Sequence, residues 1–369
     1  MTREPDACPG LIQLHDAADG PLARIRIPGG VVTAAQLEAL AHAAESLGNG
    51  EMELTSRGNI QLRAVRDAGQ LQHELQEAGL LPSLTHERIR NIVASPLSGR
   101  SGGLADIRPL IAELDSALQA VPELASLPGR VLFGIDDGRG DIMALAPDFG
   151  VQATAAGFAL VLAGQDSGAR TNAPVDTIVN AARAFGEVRT DEWRLSDVEE
   201  GATKVLRRLR LTRTAVPRTV EAPDHPIGWF DQPDGHVTLA GGLKFGTLSS
   251  RLAQFIAAVE APITITPWRS IVISDLDEGV ADTVLRVLAP LGMIFDAHSP
   301  WLHVTACAGR PGCAKALADV RGDAAAAIEN GTLPLDGPQH WSGCERRCGK
   351  PKSAGDVVAT TDGYEANYG

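Results

Sequence analysis

No stretch of this 369-residue chain approaches the run of about 20 apolar residues that a membrane-crossing helix requires. Its opening, MTREPDACPG, lacks the basic start and apolar stretch of a secretory signal, so a cytoplasmic location is the expectation. There is no surplus of positive charge either: the formal net charge is -13. Nucleic-acid binders rest on clustered Lys and Arg facing phosphates, and that class is set aside. An anionic small ligand is not, because a few arginines can build a positive pocket inside an acidic protein. Cysteine is scarce, five residues in all, which argues against the disulfide framework of small secreted domains. What remains, 44% hydrophobic and 21% charged, is an ordinary globular composition in a chain long enough for two or three domains.

Two segments look alike. ARIRIPGGVVTAAQLEALAHAAESLGNGEMELTSRGNIQLRAV spans residues 23 to 65, and GHVTLAGGLKFGTLSSRLAQFIAAVEAPITITPWRSIVISDL spans 235 to 276. Each runs from an alternating strand ending in Gly-Gly, at Gly29-Gly30 and Gly241-Gly242, through a helix to a β-branched strand interrupted by an arginine. In the first, Thr33 is a good N-cap, Leu37, Leu40, Ala41, Ala44 and Leu47 form the apolar face, and Gly48 is the stop. In the second, Leu248, Leu252, Phe255, Ile256 and Val259 mark one helical face ahead of Pro262. ELTSRGNIQLRAV and ITITPWRSIVIS alternate on either side of Arg57-Gly58 and Trp268-Arg269, and each reads as one bent or bulged strand.

Recurrence of the whole order predicts two related α+β half-domains with further chain inserted after each; a generic α/β likeness is the alternative. RIRNIVASPLSG, LPGRVLFGIDDGRGDIMALAPDFG and GFALVLAGQDSG read as strands with glycine-rich turns, and helices are expected near 174 to 186 and 195 to 210. The predicted division is 1–80, 81–211, a Pro-rich linker at 212–226, 227–297 and 298–369.

Four of the five cysteines fall in the last 65 residues, and that clustering favours a metal. Five residues separate Cys307 from Cys313, three separate Cys344 from Cys348, and thirty lie between the pairs. Structural zinc sites use tighter knuckles and often recruit histidine. Four thiolates suit a [4Fe–4S] cluster, with zinc or buried small hydrophobes as the alternatives. Gly309, Pro311, Gly312, Gly343 and Gly349 let the backbone turn closely around a bulky inorganic core. Arg310, Arg346, Arg347 and Lys350 either offset its charge or form a solvated face. Cys8 stands outside the set, either an accessory thiol or, as the better expectation, a buried or merely tolerated cysteine.

These pairs, together with the duplicated halves, resemble the sulfite and nitrite reductase family. ELTSRGNIQL looks like the family's first half-domain strand, and TACAGRPGC and SGCERRC look like its two cluster motifs, in order and near the C-terminus. The resemblance covers nearly the whole chain. It implies an α+β protein of duplicated ferredoxin-like half-domains interleaved with α/β cluster-binding modules. It also implies a [4Fe–4S] cluster on Cys307, Cys313, Cys344 and Cys348, coupled in the reductases to sirohaem through the last of these. Arg57 matches the arginine of the family's TSRGN strand, Arg90 that of an Arg-Asn pair, in IRNIV, and Arg130, in LPGRVLF, the first of two lysines. The second lysine position holds Leu132, a departure that removes a cation from where the reductases polarise a small anion.

CPGLIQLHDAADGPLARIRIPGG and LFGIDDGRGDIMALAPD are similar to a shortened branch of the same superfamily, the precorrin-3B synthases of aerobic cobalamin (vitamin B12) biosynthesis. That similarity implies an iron–sulfur monooxygenase that hydroxylates precorrin-3A with O2 at a meso carbon and closes a γ-lactone with a side-chain acetate. The branch is associated with a further non-haem iron and with reducing equivalents from NADH. Arg57, Arg63, Arg90 and Arg130 become candidate contacts for the macrocycle's carboxylate arms, with surface ion pairs as the alternative for each. Asp296, His298 and His303 are a candidate ligand set for a mononuclear iron. GGLKFG lacks the G-x-G-x-x-G spacing of a dinucleotide site, so a separate electron-donor reductase is expected. The alternatives are a sirohaem-dependent sulfite or nitrite reductase, against which Leu132 and the short length count, and a non-catalytic iron–sulfur electron-transfer protein.

Overall fold

The computed structural model describes residues 6, 8–351 and 353–368; the opening MTREP, read above for a leader, lies outside them. The first half-domain contains β1 (His15–Ala17), β2 (Gly20–Ile25), β3 (Val31–Val32), α1 (Ala34–Leu47), β4 (Glu51–Leu54), β5 (Ile60–Leu62) and α2 (Ala68–Glu77). Thr33 caps α1 in a reciprocal capping box with Gln36, the predicted apolar face is buried, and the chain leaves the helix at Gly48.

A middle module follows, with β6 (Ile92–Ala94), α3 (Arg108–Gln119), β7 (Phe133–Asp136), β8 (Phe149–Thr154), β9 (Gly157–Leu162), β10 (Gln165–Thr171), α4 (Pro174–Val188) and α5 (Gly201–Leu209). Strands β6, β7 and β8 are parallel, and β9 and β10 return antiparallel. Phe133, Phe149 and Phe185 pack in its core. The helix expected over 195 to 210 is instead a 3-10 turn, Leu195–Asp197, and then α5. Glu200 between them adopts a left-handed φ of 51°, which no continuous helix can pass through.

Residues 212–226 form no regular element, yet they are tied down. The amides of Thr214 and Ala215 donate to the Gly168 carbonyl, that of Arg218 donates to Asp166, and His225 stacks on Trp268 at 4.7 Å. The second half-domain contains β11 (Gly228–Asp231), β12 (Val237–Leu243), β13 (Thr247–Ser249), α6 (Ser250–Ala257), β14 (Ile263–Ile265), β15 (Ser270–Leu276), α7 (Glu278–Leu288) and β16 (Met293–Ile294). The C-terminal module has α8 (Pro300–His303), β17 (Val304–Ala306), α9 (Val320–Glu329), β18 (Gln339–Ser342), β19 (Gly355–Thr360) and β20 (Gly363–Asn367). Its three parallel strands and antiparallel return repeat the pattern of β6 to β9.

The two half-domains exchange strands. β13 completes the first sheet, β1-β2-β5-β4-β13, while β3 completes the second, β11-β12-β15-β14-β3. One apolar core runs through both. This exchange corrects the matching drawn from sequence: the counterpart of Gly29-Gly30 is Phe245-Gly246, not Gly241-Gly242. Gly29 and Gly30 have φ of 61° and 73°, Phe245 and Gly246 of 53° and 70°, and each pair forms the 3-10 turn that swings the exchanged strand across. Gly241 and Gly242 lie inside β12, where a side chain would collide with Met293 and Leu302.

The interrupted strands are hairpins rather than bulged strands. Thr55 N–H donates to the Asn59 carbonyl and Thr266 N–H to that of Ser270, both at 2.9 Å. Gly58 and Arg269, with φ of 66° and 60°, reverse the chain where a bulge would only bend it. The second helical face also differs: Leu252 and Ile256 are buried in α6, but Leu248 belongs to β13, Phe255 is 40% exposed and Val259 lies past the helix end.

Candidate cluster and substrate site

Parallel pairing of β17 with β18 brings the loops leaving both strands together. Cys307 directly follows β17, Cys344 comes two residues after β18, and Cys313 and Cys348 continue the same two loops. All four are free thiols. The Gly343 N–H donates to Cys307 Sγ at 3.2 Å. Burial pushes the Cys348 thiol up, followed by the neighbouring Cys307, Cys344 and Cys313, while Arg346 pulls it down. The Cys348 sulfur therefore senses the other three. Crowded thiolates repel unless a cationic core lies among them, and together with an N–H donor aimed at sulfur this donor set fits a [4Fe–4S] cluster. Gly343 is needed for close packing, since a Cβ there would meet Ala316.

The turn carrying Cys348 is held from two sides. His340 is fully buried, with Nε2 3.1 Å from the Cys348 carbonyl and Nδ1 2.8 Å from Thr305 Oγ1. Burial, then the charge of Arg269, press its pKa down to about 4, so the ring is neutral near pH 7. Arg269 Nη2 donates to the Gly349 carbonyl at 3.4 Å, joining the second half-domain's hairpin turn to this loop. Of the four cations expected around the cluster, Arg347 and Lys350 are paired with Asp356, and Arg310 donates to the Ala316 carbonyl. Arg346 is the one that acts on Cys348.

The first sheet turns its polar face toward these loops. Cross-strand pairing sets Arg24 opposite Gln61, and Gln61 opposite Glu53. Arg321 of α9 binds Glu53 at 2.6 Å and donates to the Cys307 carbonyl at 3.3 Å. Arg63 is not free for a ligand: it makes two bonds of 2.8 Å to Asp19 and a third to the Gly312 carbonyl, clamping the cluster loop. Arg90 is likewise committed, bidentate to Asp115 at 2.7 and 2.8 Å. Arg130 lies over the Trp193 ring, 4.0 Å from its centroid.

Arg57 differs from these. Its Nη1 donates to the Gly129 carbonyl at 3.4 Å, and burial, then repulsion from Arg194, bring its pKa down to about 10. Arg24 and Arg26, which sequence reasoning passed over, join it around Cys8. Arg24 donates to Gln61 and, at 3.6 Å, to Cys8 Sγ; Arg26 Nη2 donates to the same sulfur at 3.4 Å. Cys8 is thus half-buried in a cationic setting. Among the described residues, no carboxylate bonds to Arg24, Arg26 or Arg57. The signal was available: two arginines at i and i+2 of an alternating strand share one face. Leu132 is buried with Val93 and Ile142 under Trp268, so the lysine position of the reductases is here part of an apolar patch.

The proposed iron ligands Asp296, His298 and His303 are all exposed, and Asp296 accepts the His298 amide at 2.9 Å. Among the described residues, only Asp136, Asp137 and Asp141 bring three potential ligand atoms within 4.8 Å of one another. Those carboxylates are occupied: Asp136 takes the amides of Gly138, Gly140, Ile142 and Met143, Asp137 takes Arg139, and Asp141 takes Ser95. The histidine set is not assembled, because a loop and the short α8 turn its side chains to solvent. No helix among the described residues is long and apolar enough to cross a membrane.

Residues 15–78 match the family model for the nitrite/sulfite reductase ferredoxin-like half domain. The chain is 30% identical over 376 residues to a precorrin-3B synthase of Sinorhizobium sp, covering 97% of this chain and 81% of that one. It is 26% identical over 387 residues to a ferredoxin–nitrite reductase of Synechococcus elongatus, covering 90% and 75% respectively. The structure of the Mycobacterium tuberculosis NirA protein shares the fold, with a TM-score of 0.75 at 19% identity over 94% of this chain and 73% of that one.

Proposed function

Because the chain belongs to the precorrin-3B synthase family, we propose that it hydroxylates precorrin-3A with O2 and closes a γ-lactone onto a side-chain acetate, in the cytoplasm. The observation that carries this reading is the group Arg24, Arg26 and Arg57, largely removed from water and, among the described residues, hydrogen-bonded to no carboxylate. An unpaired desolvated charge is costly, and a ligand edged with acetates and propionates offsets that cost at several points together. Sirohaem carries similar arms, so the choice between the two readings falls on Leu132. Its burial beneath Trp268 leaves no cation where nitrite or sulfite reduction asks for one.

A [4Fe–4S] cluster held by Cys307, Cys313, Cys344 and Cys348 supplies one-electron transfer. Monooxygenation puts one atom of O2 into the product and releases the other as water, drawing two electrons and two protons. NADH is the source of those electrons by way of a separate reductase, since GGLKFG is strand and tight turn rather than a phosphate loop. Arg24 and Arg57 orient the macrocycle, Trp268 and Leu132 keep water from the adjoining wall, and His340 with Arg269 fixes the turn carrying Cys348. Asp296, His298 and His303 do not fit a mononuclear iron, and no role follows for one there.

The test is purification without oxygen followed by aerobic incubation with precorrin-3A and a reductase system. A brown iron–sulfur spectrum without sirohaem bands, and formation of the hydroxylactone, are expected. Stoichiometric sirohaem with nitrite or sulfite turnover, or zinc without iron, overturns the reading.

A further inference from the structure

On the edge of the first half-domain, its Gly29-Gly30 turn and the end of α2 face α3 across a cleft of about 400 Å³. That volume suits a small organic ligand. None of its described lining residues comes from the second half-domain or the C-terminal module, so it lies apart from Cys307, Cys313, Cys344 and Cys348. Ile27, Leu80 and Ile111 give it apolar walls.

Its charged groups are not equivalent. Arg90 is spent on Asp115 at 2.7 Å, and Arg108 on Asp106 at 2.7 Å. Arg26 lines the same cleft at 2% exposure and, among the described residues, hydrogen-bonds to no carboxylate. Its Nε donates to the Arg88 carbonyl at 3.3 Å and its Nη2 to the Pro9 carbonyl at 3.2 Å and to Cys8 Sγ. Among the described residues every acceptor is neutral or a thiol, and Nη1 has no hydrogen-bond partner. A folded chain tolerates a buried guanidinium with a spare donor when a ligand completes it.

We propose that this cleft binds a carboxylate with an apolar body, the carboxylate on Arg26 Nη1 and the body against Ile27 and Ile111. One remaining donor nitrogen and apolar walls suit a monocarboxylate better than a multiply charged phosphate. Two sources present that chemistry: a free small acid, or one peripheral arm of a larger carboxylated macrocycle. Arg26 also belongs to the arginine group of the reading above, so the site rests in part on that reading; Ala112→Trp, which leaves Arg24 and Arg57 in place, tests the cleft by itself.

Isothermal titration of the full chain with 3-phenylpropionate and with its neutral amide tests this. Wild type is expected to bind the acid at least tenfold more tightly than the amide. Ala112→Trp fills the cleft from the exposed side of α3 without touching Arg26, and is expected to lose that binding; Arg26→Gln is expected to erase the preference for acid over amide. Coproporphyrin III separates the sources: competition with the acid, and weaker porphyrin binding in A112W, mark a macrocycle arm, whereas simultaneous binding marks a free acid. Absence of acid binding to wild type, or undiminished binding by A112W with an unchanged melting temperature, overturns the proposal.

Discussion

Arg57 and Arg90 were equivalent as sequence candidates, and the structure predicts opposite consequences for removing them. Arg57→Met deletes one long bond of 3.4 Å to a carbonyl and relieves repulsion from Arg194 and Arg24. Folding stability should change by less than about 1 kcal/mol or rise slightly, because a desolvated, poorly paired cation is removed. Ligand binding should suffer instead: a charge-assisted bond to a carboxylate contributes about 1.5–3 kcal/mol, which is roughly 10- to 150-fold in Kd. Arg90→Met breaks a bidentate pair in which Arg90 is 4% exposed, leaving Asp115 without its cation. Breaking such a pair costs about 3–5 kcal/mol of stability. Macrocycle affinity, measured below the melting transition, should stay within about threefold. Urea unfolding gives the stability and fluorescence quenching of coproporphyrin III the binding. Loss of stability in R57M, or of binding without destabilisation in R90M, would refute this division of roles.

His340→Leu should shift the midpoint potential and electron paramagnetic resonance of the reduced cluster while iron content is kept, and His340→Gln, which retains a donor, should restore both; identical spectra in all three proteins exclude a positioning role. Asp141 is held up to about 7 by burial first, so the native state binds a proton that the unfolded chain releases near pH 4. Stability should accordingly fall as pH rises between about 4 and 7, by up to about 4 kcal/mol, and Asp141→Asn should flatten that slope in unfolding titrations. Leu132→Lys places a cation beneath Trp268 beside Val93 and Ile142; a drop of several degrees in Tm without nitrite reduction is expected, and an unchanged Tm would show that the position opens onto the site instead.

Features that depend on neighbours along the chain were legible before any fold. Helix α1 appears with its cap, apolar face and stop because 3.6-residue periodicity is local. The four cysteines stood out as a candidate common site because two closely spaced pairs fall near the end. The duplication was visible too, but its register was not. Gly241-Gly242 repeats the letters of Gly29-Gly30, whereas Phe245-Gly246 repeats their dihedral angles, and a phenylalanine at φ 53° carries no glycine-like signature. The exchange of β3 and β13 between sheets is equally silent, since strands of two or three residues hold no periodicity to read.

The chain's own order thus determined a duplicated α+β scaffold and marked out four cysteines and a supply of arginines as candidates for a cluster and an anionic ligand. Which arginines remain available was decided only by the tertiary structure. Arg63 meets Asp19 across 44 residues, and Arg90 meets Asp115 across 25, while Arg24, Arg26 and Arg57 meet no carboxylate among the described residues. A guanidinium carries the same charge in every sequence context. Its capacity to bind depends on the partner that folding sets against it, and that partner comes from elsewhere in the chain.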